Sequence, residues 1–151
     1  MSGSVERIYL AAEHEAATSP VDRVRVVPGR GPEGDRYYRS DEPNEPGVGR
    51  DLTLIEAEAI EAFTRDTGIE LAPGEARRNV VTRGIGLNDL VGKPFRVGAV
   101  RCVGIELNEP CRHLESLTKP GVLRGLVGRG GLRADVVSGG EIAVGDPVEA
   151  V

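Results

Sequence analysis

Hydrophobic residues along this chain fall mostly into short runs that alternate with polar ones, which is the period of a half-buried β-strand. The segment Val21–Val27 alternates most cleanly, because Val24 and Val26 would face one side while Arg23 and Arg25 face the other. Short apolar runs between glycine-rich turns predict further strands at Val5–Ala12, the end of Glu75–Thr82, Phe95–Val97, Arg101–Leu107, Leu132–Val137 and Ile142–Val151.

Two glycine-containing turns punctuate the last strands. Ser138-Gly139-Gly140 is a good hairpin signal, so we expect the strands on either side of it to pair with each other. Gly145-Asp146-Pro147 interrupts the final segment, where it predicts a bulge or a bend.

One segment, Arg50–Thr67, has the period of an amphipathic helix. Thr53 and Glu56 fit a capping box at its start, and Gly68 fits a left-handed cap at its end. The predicted apolar stripe consists of Ile55, Ala59, Ile60, Ala62 and Phe63. The acidic side chains of Glu56, Glu58 and Glu61 would form a solvated face rather than a catalytic carboxylate pair.

Shorter helical pieces are predicted at Leu87–Val91, after Pro110, and at Val122–Val127. Many short strands, one well-formed helix and short helical inserts together predict a mainly β (α+β) fold, a β-barrel with helical inserts. A length of 151 residues fits a single domain, 1–151.

Composition narrows the classes of function. The net charge is −5 with both signs interspersed and aromatic residues make up 3%, which argues against nucleic acid as the main partner. Two cysteines in unlike surroundings do not form a disulfide framework, so we expect a reducing, cytoplasmic location. The N-terminus lacks the features of a signal peptide and no apolar run is long enough to span a bilayer.

The longest irregular stretch is Pro28–Gly49, and loops of this length inside a compact domain are often functional. A nucleotide P-loop is unlikely here because no helix start follows the glycines and the Walker lysine is missing. Asp35 and Arg36, after Gly34, could still present backbone amides and a guanidinium to an anion; an exposed turn is the plainer interpretation.

Cys111 is the strongest candidate for chemistry. Pro110 suits the first position of a short helix with Asn108 or Glu109 as its cap, which would place Cys111 in the first helical turn, just after a strand. The helix dipole and the adjacent Arg112 and His113 would favour the thiolate, a soft ligand or nucleophile. A small buried hydrophobe is the competing interpretation for any cysteine, and it is the one we prefer for Cys102.

A polar segment before a strand and the two histidines each allow a functional and a purely structural interpretation. Arg77, Arg78 and Asn79 next to a strand form either a surface charge cluster or a contact for an oxyanion or phosphate. His14, in the polar run after the first strand, is best interpreted as a solvated loop histidine. His113 could donate a proton or act as a second ligand, or it could simply lie on a helix surface.

The order of several short motifs over residues 34–151 resembles the MOSC domain. This domain occurs at the C-terminus of molybdenum cofactor sulfurases, in mitochondrial amidoxime-reducing components and in small stand-alone bacterial proteins. The motifs are, in order, Gly34-Asp35-Arg36, Arg77-Arg78-Asn79-Val80, Val91-Gly92-Lys93-Pro94-Phe95-Arg96-Val97-Gly98, Pro110-Cys111-Arg112 and Glu141-Ile142-Ala143-Val144-Gly145-Asp146-Pro147-Val148.

The resemblance implies a MOSC-type β-barrel that binds the molybdenum cofactor (molybdopterin). The family cysteine, which matches Cys111, is a sulfur ligand of molybdenum in the amidoxime reducers and a proposed sulfur carrier in others. The family's Arg-x-Asn element implies that Arg77 and Asn79 lie near the pterin phosphate or the metal oxo groups. We extend the expected cofactor-binding set to the neighbouring polar residues Arg78, Arg112, His113, Asp35 and Arg36.

Larger family members carry parts that this sequence does not contain. The sulfurases have a separate pyridoxal-phosphate domain, so pyridoxal phosphate is not expected in this chain. The larger enzymes also have an additional N-terminal β-barrel that helps to bind the pterin, and 151 residues leave no room for one.

Three functions therefore compete. The first is binding of molybdenum cofactor, or sulfur carriage for it, through Cys111. The second is a small molybdenum-dependent reductase of N-hydroxylated compounds that takes electrons from a partner. The third is a metal-free module that binds an anionic small molecule. Expected partners are molybdopterin or another anionic small molecule and a redox or sulfur-donor protein, with neither nucleic acid nor membrane.

Overall fold

Eleven strands and three α-helices make up the part of the chain that the structure, a computed structural model, describes: residues 2–38 and 41–151. The strands are β1 (Ser2–Leu10), β2 (Ser19–Val21), β3 (Arg23–Val27), β4 (Gly31–Pro32), β5 (Leu52–Glu56), β6 (Val80–Arg83), β7 (Pro94–Val97), β8 (Val100–Leu107), β9 (Leu132–Ser138), β10 (Gly140–Ala143) and β11 (Pro147–Ala150). The helices are α1 (Ala57–Thr67), α2 (Arg112–Leu117) and α3 (Val122–Gly125), and short 3₁₀ helices lie at Pro73–Ala76 and Leu87–Leu90.

Seven of the described strands close into a barrel, in the order β1-β11-β7-β8-β9-β5-β6 and back to β1. The first and last strands close it, with Ser2 opposite Glu149 and Ser4 opposite Pro147. Neighbouring barrel strands are antiparallel except β5 and β6, which run parallel and are connected through α1. The predicted β-barrel with one longer helix is confirmed.

Alternating side chains fill the barrel and leave a second apolar layer outside it. Val24 and Val26 are buried and Arg23 and Arg25 are exposed, as the alternation predicts. The outer layer forms where α1 packs its buried Phe63 against the barrel wall. Burying a side chain of this size contributes about 1.5–3 kcal/mol, so these positions account for much of the stability.

The predicted start of the main helix is wrong, whereas its predicted end is confirmed. Leu52–Glu56 is strand β5, and the helix begins at Ala57 after an extended Glu56 that makes no side-chain cap. The apolar residues of this segment alternate well enough to pair with β9 and β6, and that pairing determines their structure. Gly68 ends the helix in the left-handed conformation, with its N–H donating to the Thr64 carbonyl.

The expected solvated acidic face is confirmed at Glu61 alone, which is exposed and pairs with Arg83. Glu56 and Glu58 are partly buried and accept from the backbone N–H groups of Leu87 and Gly84, at 3.1 and 2.8 Å. Burial raises the pKa of the Glu56 carboxyl.

The predicted hairpin across residues 138–140 does not form. Strand β9 is paired on its two edges with β8 and β5, so it has no free edge for β10. Strand β10 instead pairs with β3 in a separate sheet, with Gly140 opposite Val26. The predicted bend at residues 145–147 is confirmed, because a turn there separates β10 from β11.

The long irregular stretch contains one short strand, β4, and continues as a loop over residues 33–51, of which residues 39 and 40 lie outside the described part. The buried carboxylate of Asp51 accepts from Gly29 N (3.0 Å), Val136 N (2.9 Å) and Asn44 Nδ2 (2.9 Å). Asp135 accepts from Gly47 N (2.6 Å) and Gly49 N (2.9 Å). Two carboxylates therefore hold the 33–51 loop against the barrel.

None of the helices described is long and apolar enough to cross a membrane.

Candidate functional site

A cavity of about 390 Å³ lies between the 33–51 loop, the turn before β6 and the segment that leads into α2. We call it the arginine cavity, because five guanidinium groups and one thiol of the described residues border it. Its described lining residues are Arg36, Tyr37, Gly49, Arg50, Thr53, Arg77, Arg78, Asn108, Glu109, Cys111 and Arg133. The cavity thus concentrates positive charge in a protein whose net charge is −5.

Cys111 is exposed and borders this cavity. It is the N-cap of α2 rather than a residue of its first turn, so the prediction that Asn108 or Glu109 would cap the helix is wrong. Its backbone is extended (φ −136°, ψ 170°), and its Sγ accepts from the backbone N–H of Leu114 at 3.4 Å. The sulfur itself takes the capping role that an oxygen usually fills.

Arg78 connects the two ends of the segment that carries Cys111. Its Nε donates to the carbonyl of Gly130 and its Nη2 to that of Asn108, both at 2.9 Å. Burial lowers the pKa of this guanidinium to about 10, and the nearby Cys111 sulfur opposes the shift. Arg78 is therefore a buried cation that lies close to the Cys111 sulfur.

Arg77 holds a neighbouring turn in place. Its guanidinium donates to the carbonyls of Ala16 (2.7 Å) and His14 (2.9 Å). Within residues 2–38 and 41–151 it is the only non-glycine residue with a positive φ, 60°, a conformation that costs energy unless its surroundings hold it. Burial lowers the pKa of Arg77, and the nearby Arg36 adds to the effect.

Asp35 and Arg36 form a buried ion pair, with Arg36 Nη1 at 3.2 Å from Asp35 Oδ1. That same oxygen accepts from the Ala11 N–H, and Arg36 Nη2 donates to the Arg77 carbonyl. Arg36 Nε and Asp35 Oδ2 are both buried without a hydrogen-bond partner. Arg36 borders the cavity, whereas Asp35 lies behind it and orients the guanidinium.

Besides Asp35, three of the predicted site residues do not border the cavity. Asn79 is buried, and its side-chain amide is used by Thr53 and by the carbonyl of Tyr9. Arg112 and His113 are exposed on α2. The structure therefore brings together Cys111, Arg36, Arg77 and Arg78, with Asp35 directly behind them.

Several lining residues were missed by the sequence analysis, notably Tyr37, Arg50 and Arg133. Arg133 is part-buried in an otherwise apolar strand, where it donates to Glu106 (2.8 Å) and to the Gly49 carbonyl (3.2 Å). An arginine within an apolar strand was the available signal for that residue. No comparable signal distinguishes Arg50 from the other polar residues of its loop.

The described residues contain no group of three or more His, Cys, Asp or Glu side chains that could hold a metal ion. A metal at Cys111 would therefore need ligands other than such a cluster of side chains among the described residues. A soft cysteine sulfur beside several guanidinium groups fits an anionic cofactor that already carries its metal.

Solved structures with the same fold include the YuaD protein from Bacillus subtilis, with a TM-score of 0.83 and 19% sequence identity over 99% of this chain and 96% of that one. YiiM from Geobacillus stearothermophilus gives 0.76 and 17% over 99% and 75% of the two chains. YiiM from Escherichia coli gives 0.74 and 20% over 100% and 70%. At these identities the likeness shows the fold alone.

A search of curated proteins finds no match. The family model of the MOSC domain matches residues 41–149, which is most of the chain and includes Arg77, Arg78 and Cys111. This match, together with the barrel, confirms the resemblance noted in the sequence, and the family is associated with the molybdenum cofactor. The chain therefore belongs to the MOSC domain family.

Proposed function

We propose that this protein binds molybdenum cofactor in the arginine cavity and uses the Cys111 thiolate as its ligand to the metal or as the carrier of a sulfur atom. One observation supports this above all: among the described residues, an exposed thiol and five guanidinium groups border the same 390 Å³ cavity. A single bound ligand would then contact both the Cys111 sulfur and the guanidinium groups.

The size and chemistry of the cavity suit such a ligand. Pockets for whole small molecules and cofactors usually measure about 300–1,000 Å³. The guanidinium groups of Arg36, Arg77 and Arg78 suit phosphate and oxo groups, because arginine donates in a planar, charge-assisted geometry. The acidic residue on the wall, Glu109, is already occupied, since both carboxylate oxygens accept from Gly128 N.

Each residue has a distinct part in the proposal. Cys111 Sγ would hold the metal, and Arg36, Arg77 and Arg78 would balance the charge of the cofactor. Asp35 would fix Arg36, and Asn79 would act indirectly by positioning β5 against the Arg77–Arg78 turn. The bound cofactor would supply the redox chemistry of molybdenum, which the side chains of this protein do not provide.

In the sulfur-carrier form of the proposal, Cys111 acts as a nucleophile. Its thiolate attacks the terminal sulfur of a persulfide on a donor protein; a new S–S bond forms at Cys111 as the donor's S–S bond breaks, and the donor leaves as a thiolate. No net oxidant is needed, because the persulfide sulfur is transferred at the same oxidation level.

Metal analysis of the variant Cys111→Ser tests the ligand role. Protein purified from a host fed with molybdate should retain molybdenum, and Cys111→Ser should lose it while its circular dichroism spectrum is unchanged. The matched control is Cys102→Ala, because that cysteine is buried in β8 away from the cavity. Molybdenum bound equally by wild-type protein and Cys111→Ser would contradict the ligand assignment.

Three assays separate the competing functions. A mass increase of one sulfur atom on Cys111 after incubation with a persulfide donor supports the carrier. Turnover of an N-hydroxylated compound by cofactor-loaded protein with an electron donor supports the reductase. Phosphate-ester binding by metal-free protein that is indifferent to Cys111 would instead favour an anion-binding module.

A further inference from the structure

A second, smaller cavity adjoins the arginine cavity. It has a volume of about 210 Å³, and its described lining residues are His14, Arg36, Tyr37, Asn44 and Arg50. Arg36, Tyr37 and Arg50 border both cavities, so the two spaces share a wall. We call the smaller one the side cavity.

The described lining of the side cavity carries positive charge and hydrogen-bond donors but no carboxylate. Arg50 forms no ion pair with any described residue, and the His14 imidazole donates to none of them. The buried ion pair with Asp35 offsets part of the charge of Arg36. An electropositive, donor-rich lining of this kind selects an anionic group.

The residues that line the side cavity are held in place by contacts with one another and with the neighbouring backbone. Arg77 donates to the His14 carbonyl at 2.9 Å, which fixes the backbone of that turn. The His14 ring meets the Tyr37 ring edge-on, with centroids 5.2 Å apart and an interplanar angle of 80°, and Arg36 lies 4.6 Å from the centroid of the same Tyr37 ring. Although His14 is exposed in its loop, as predicted, it is oriented by two neighbours rather than free in solvent.

Asn44 completes the far side of the cavity. Its Nδ2 donates to Asp51 at 2.9 Å, and its backbone N–H donates to the Gly29 carbonyl at 2.6 Å. Asp51 in turn is fixed by the barrel through Val136. The side cavity is thus built on the same anchors that hold the 33–51 loop.

We propose that the side cavity is a second anion subsite, which binds one phosphate or carboxylate group while another ligand occupies the arginine cavity. Its volume is below the range of about 300–1,000 Å³ that whole ligands usually need, so it fits a single substituent. The subsite needs neither a metal nor Cys111, so it goes beyond the proposed cofactor site and stands independently of it.

The anionic group could belong to the far end of the ligand in the arginine cavity or to a separate substrate. The recognising chemistry is the same in both cases: an oxyanion held by the guanidinium groups of Arg36 and Arg50 with the His14 imidazole as a further donor. A proposed test with simple phosphate compounds distinguishes the two sources.

Titration of metal-free protein with inorganic phosphate, followed by calorimetry and by the NMR signals of the histidine rings, tests the subsite. We expect two phosphate ions per chain and a saturable shift of the His14 ring signals. The variant His14→Phe keeps an aromatic ring against Tyr37 but removes the donor. It should weaken one of the two sites about tenfold, which corresponds to about 1.4 kcal/mol.

Two further variants make the result specific. His14→Gln keeps a hydrogen-bond donor and should bind phosphate within a few-fold of the wild-type affinity. His113→Phe is the matched control, because His113 is exposed on α2 and borders neither cavity, and it should leave both affinities unchanged. Phosphate binding that His14→Phe leaves unaffected, whether one or two ions bind per chain, would overturn the proposal. A single site that this variant weakens would instead place the failure in the arginine cavity.

Alkyl bisphosphonates of increasing spacer length identify the source of the anion. If one ligand spans both cavities, one spacer length should bind with a stoichiometry of one and more tightly than phosphate. If the second group belongs to a separate substrate, no spacer should gain affinity and phosphate should still bind twice. Both results rest on metal-free protein, so loss of molybdenum binding in Cys111→Ser leaves them unchanged.

Discussion

Thr53 and Asn79 are hydrogen-bonded to each other through three contacts. The backbone N–H of Asn79 donates to Thr53 Oγ1 at 3.0 Å, while Asn79 Oδ1 accepts from Thr53 Oγ1 at 3.1 Å and from Thr53 N at 3.3 Å. The pair joins β5 to the residue just before β6. It therefore sets the position of the Arg77–Arg78 turn relative to the barrel.

The variant Thr53→Val should lower the free energy of unfolding by about 1–2 kcal/mol, because the methyl group leaves the Asn79 N–H without a partner. Urea denaturation measures this. The control is Thr64→Val, a threonine on α1 whose hydroxyl makes no hydrogen bond to a described residue. Equal stability of the two variants would show that the contacts between Thr53 and Asn79 contribute nothing.

Asp51→Asn should loosen the 33–51 loop. One carboxylate now accepts three hydrogen bonds, and an amide can accept at only one of its two polar atoms. We expect a loss of about 2–3 kcal/mol in the free energy of unfolding and faster proteolytic cleavage within the loop. Asp22→Asn is the control, since its carboxylate is exposed; a similar loss there would point to net charge as the cause.

Arg78→Met should weaken the anchoring of the segment that carries α2 and α3. Its two donors bind the carbonyls of Asn108 and Gly130, which flank that segment, and the variant leaves both carbonyls unpaired. We expect a loss of about 2–3 kcal/mol in the free energy of unfolding and faster proteolytic cleavage between residues 108 and 130. Arg112→Met, an exposed residue of α2, should change neither quantity, and unchanged cleavage in Arg78→Met would refute the anchoring role.

The two cysteines should differ in reactivity. In the folded protein a thiol reagent at neutral pH should label Cys111 and leave Cys102, which is 1% exposed in β8, unmodified until the chain unfolds. Labelling of both thiols at equal rates in native protein would contradict the buried position of Cys102.

The buried Cys102 thiol should also make the free energy of unfolding decrease at alkaline pH. Burial raises its pKa from 9.0 to about 12, so the unfolded chain loses the proton first. The stability that this difference contributes is fully present below pH 9.0 and is lost as the pH rises towards 12. Urea midpoints between about pH 8 and pH 11 should fall less steeply for Cys102→Ala than for wild-type protein.

The sequence specified local features better than pairings between distant segments. Val24 and Val26 alternate with arginines, so their strand and its buried face were predictable, and Gly68 marked the end of the helix by its own backbone preference. Leu52–Glu56 satisfied both a strand and a helix pattern. Pairing with β6, more than twenty residues away, determined the outcome, and no local signal contains that information.

The residues of the candidate site were likewise only partly predictable from the sequence. Cys111, Arg36, Arg77 and Arg78 were predicted from their chemistry and the order of motifs, and the structure places them on one cavity. Their roles stay predictions. Arg50 and Arg133 were missed because their contribution depends on how the 33–51 loop folds over β8 and β9, where a Cβ atom at Gly49 would clash with Ile105.

Barrel closure by β1 and β11 has a consequence for the order of events during protein synthesis. Of the barrel strands, β1 is synthesised first and β11 last. The pairing of Ser2 with Glu149, which closes the barrel, can therefore form only after all the other barrel strands have been made. Until then, the edge of β1 that later pairs with β11 presents unpaired backbone N–H and C=O groups, to which other extended chains can bind. Late closure of the barrel thus leaves one edge of its first strand open to aggregation until β11 has been made.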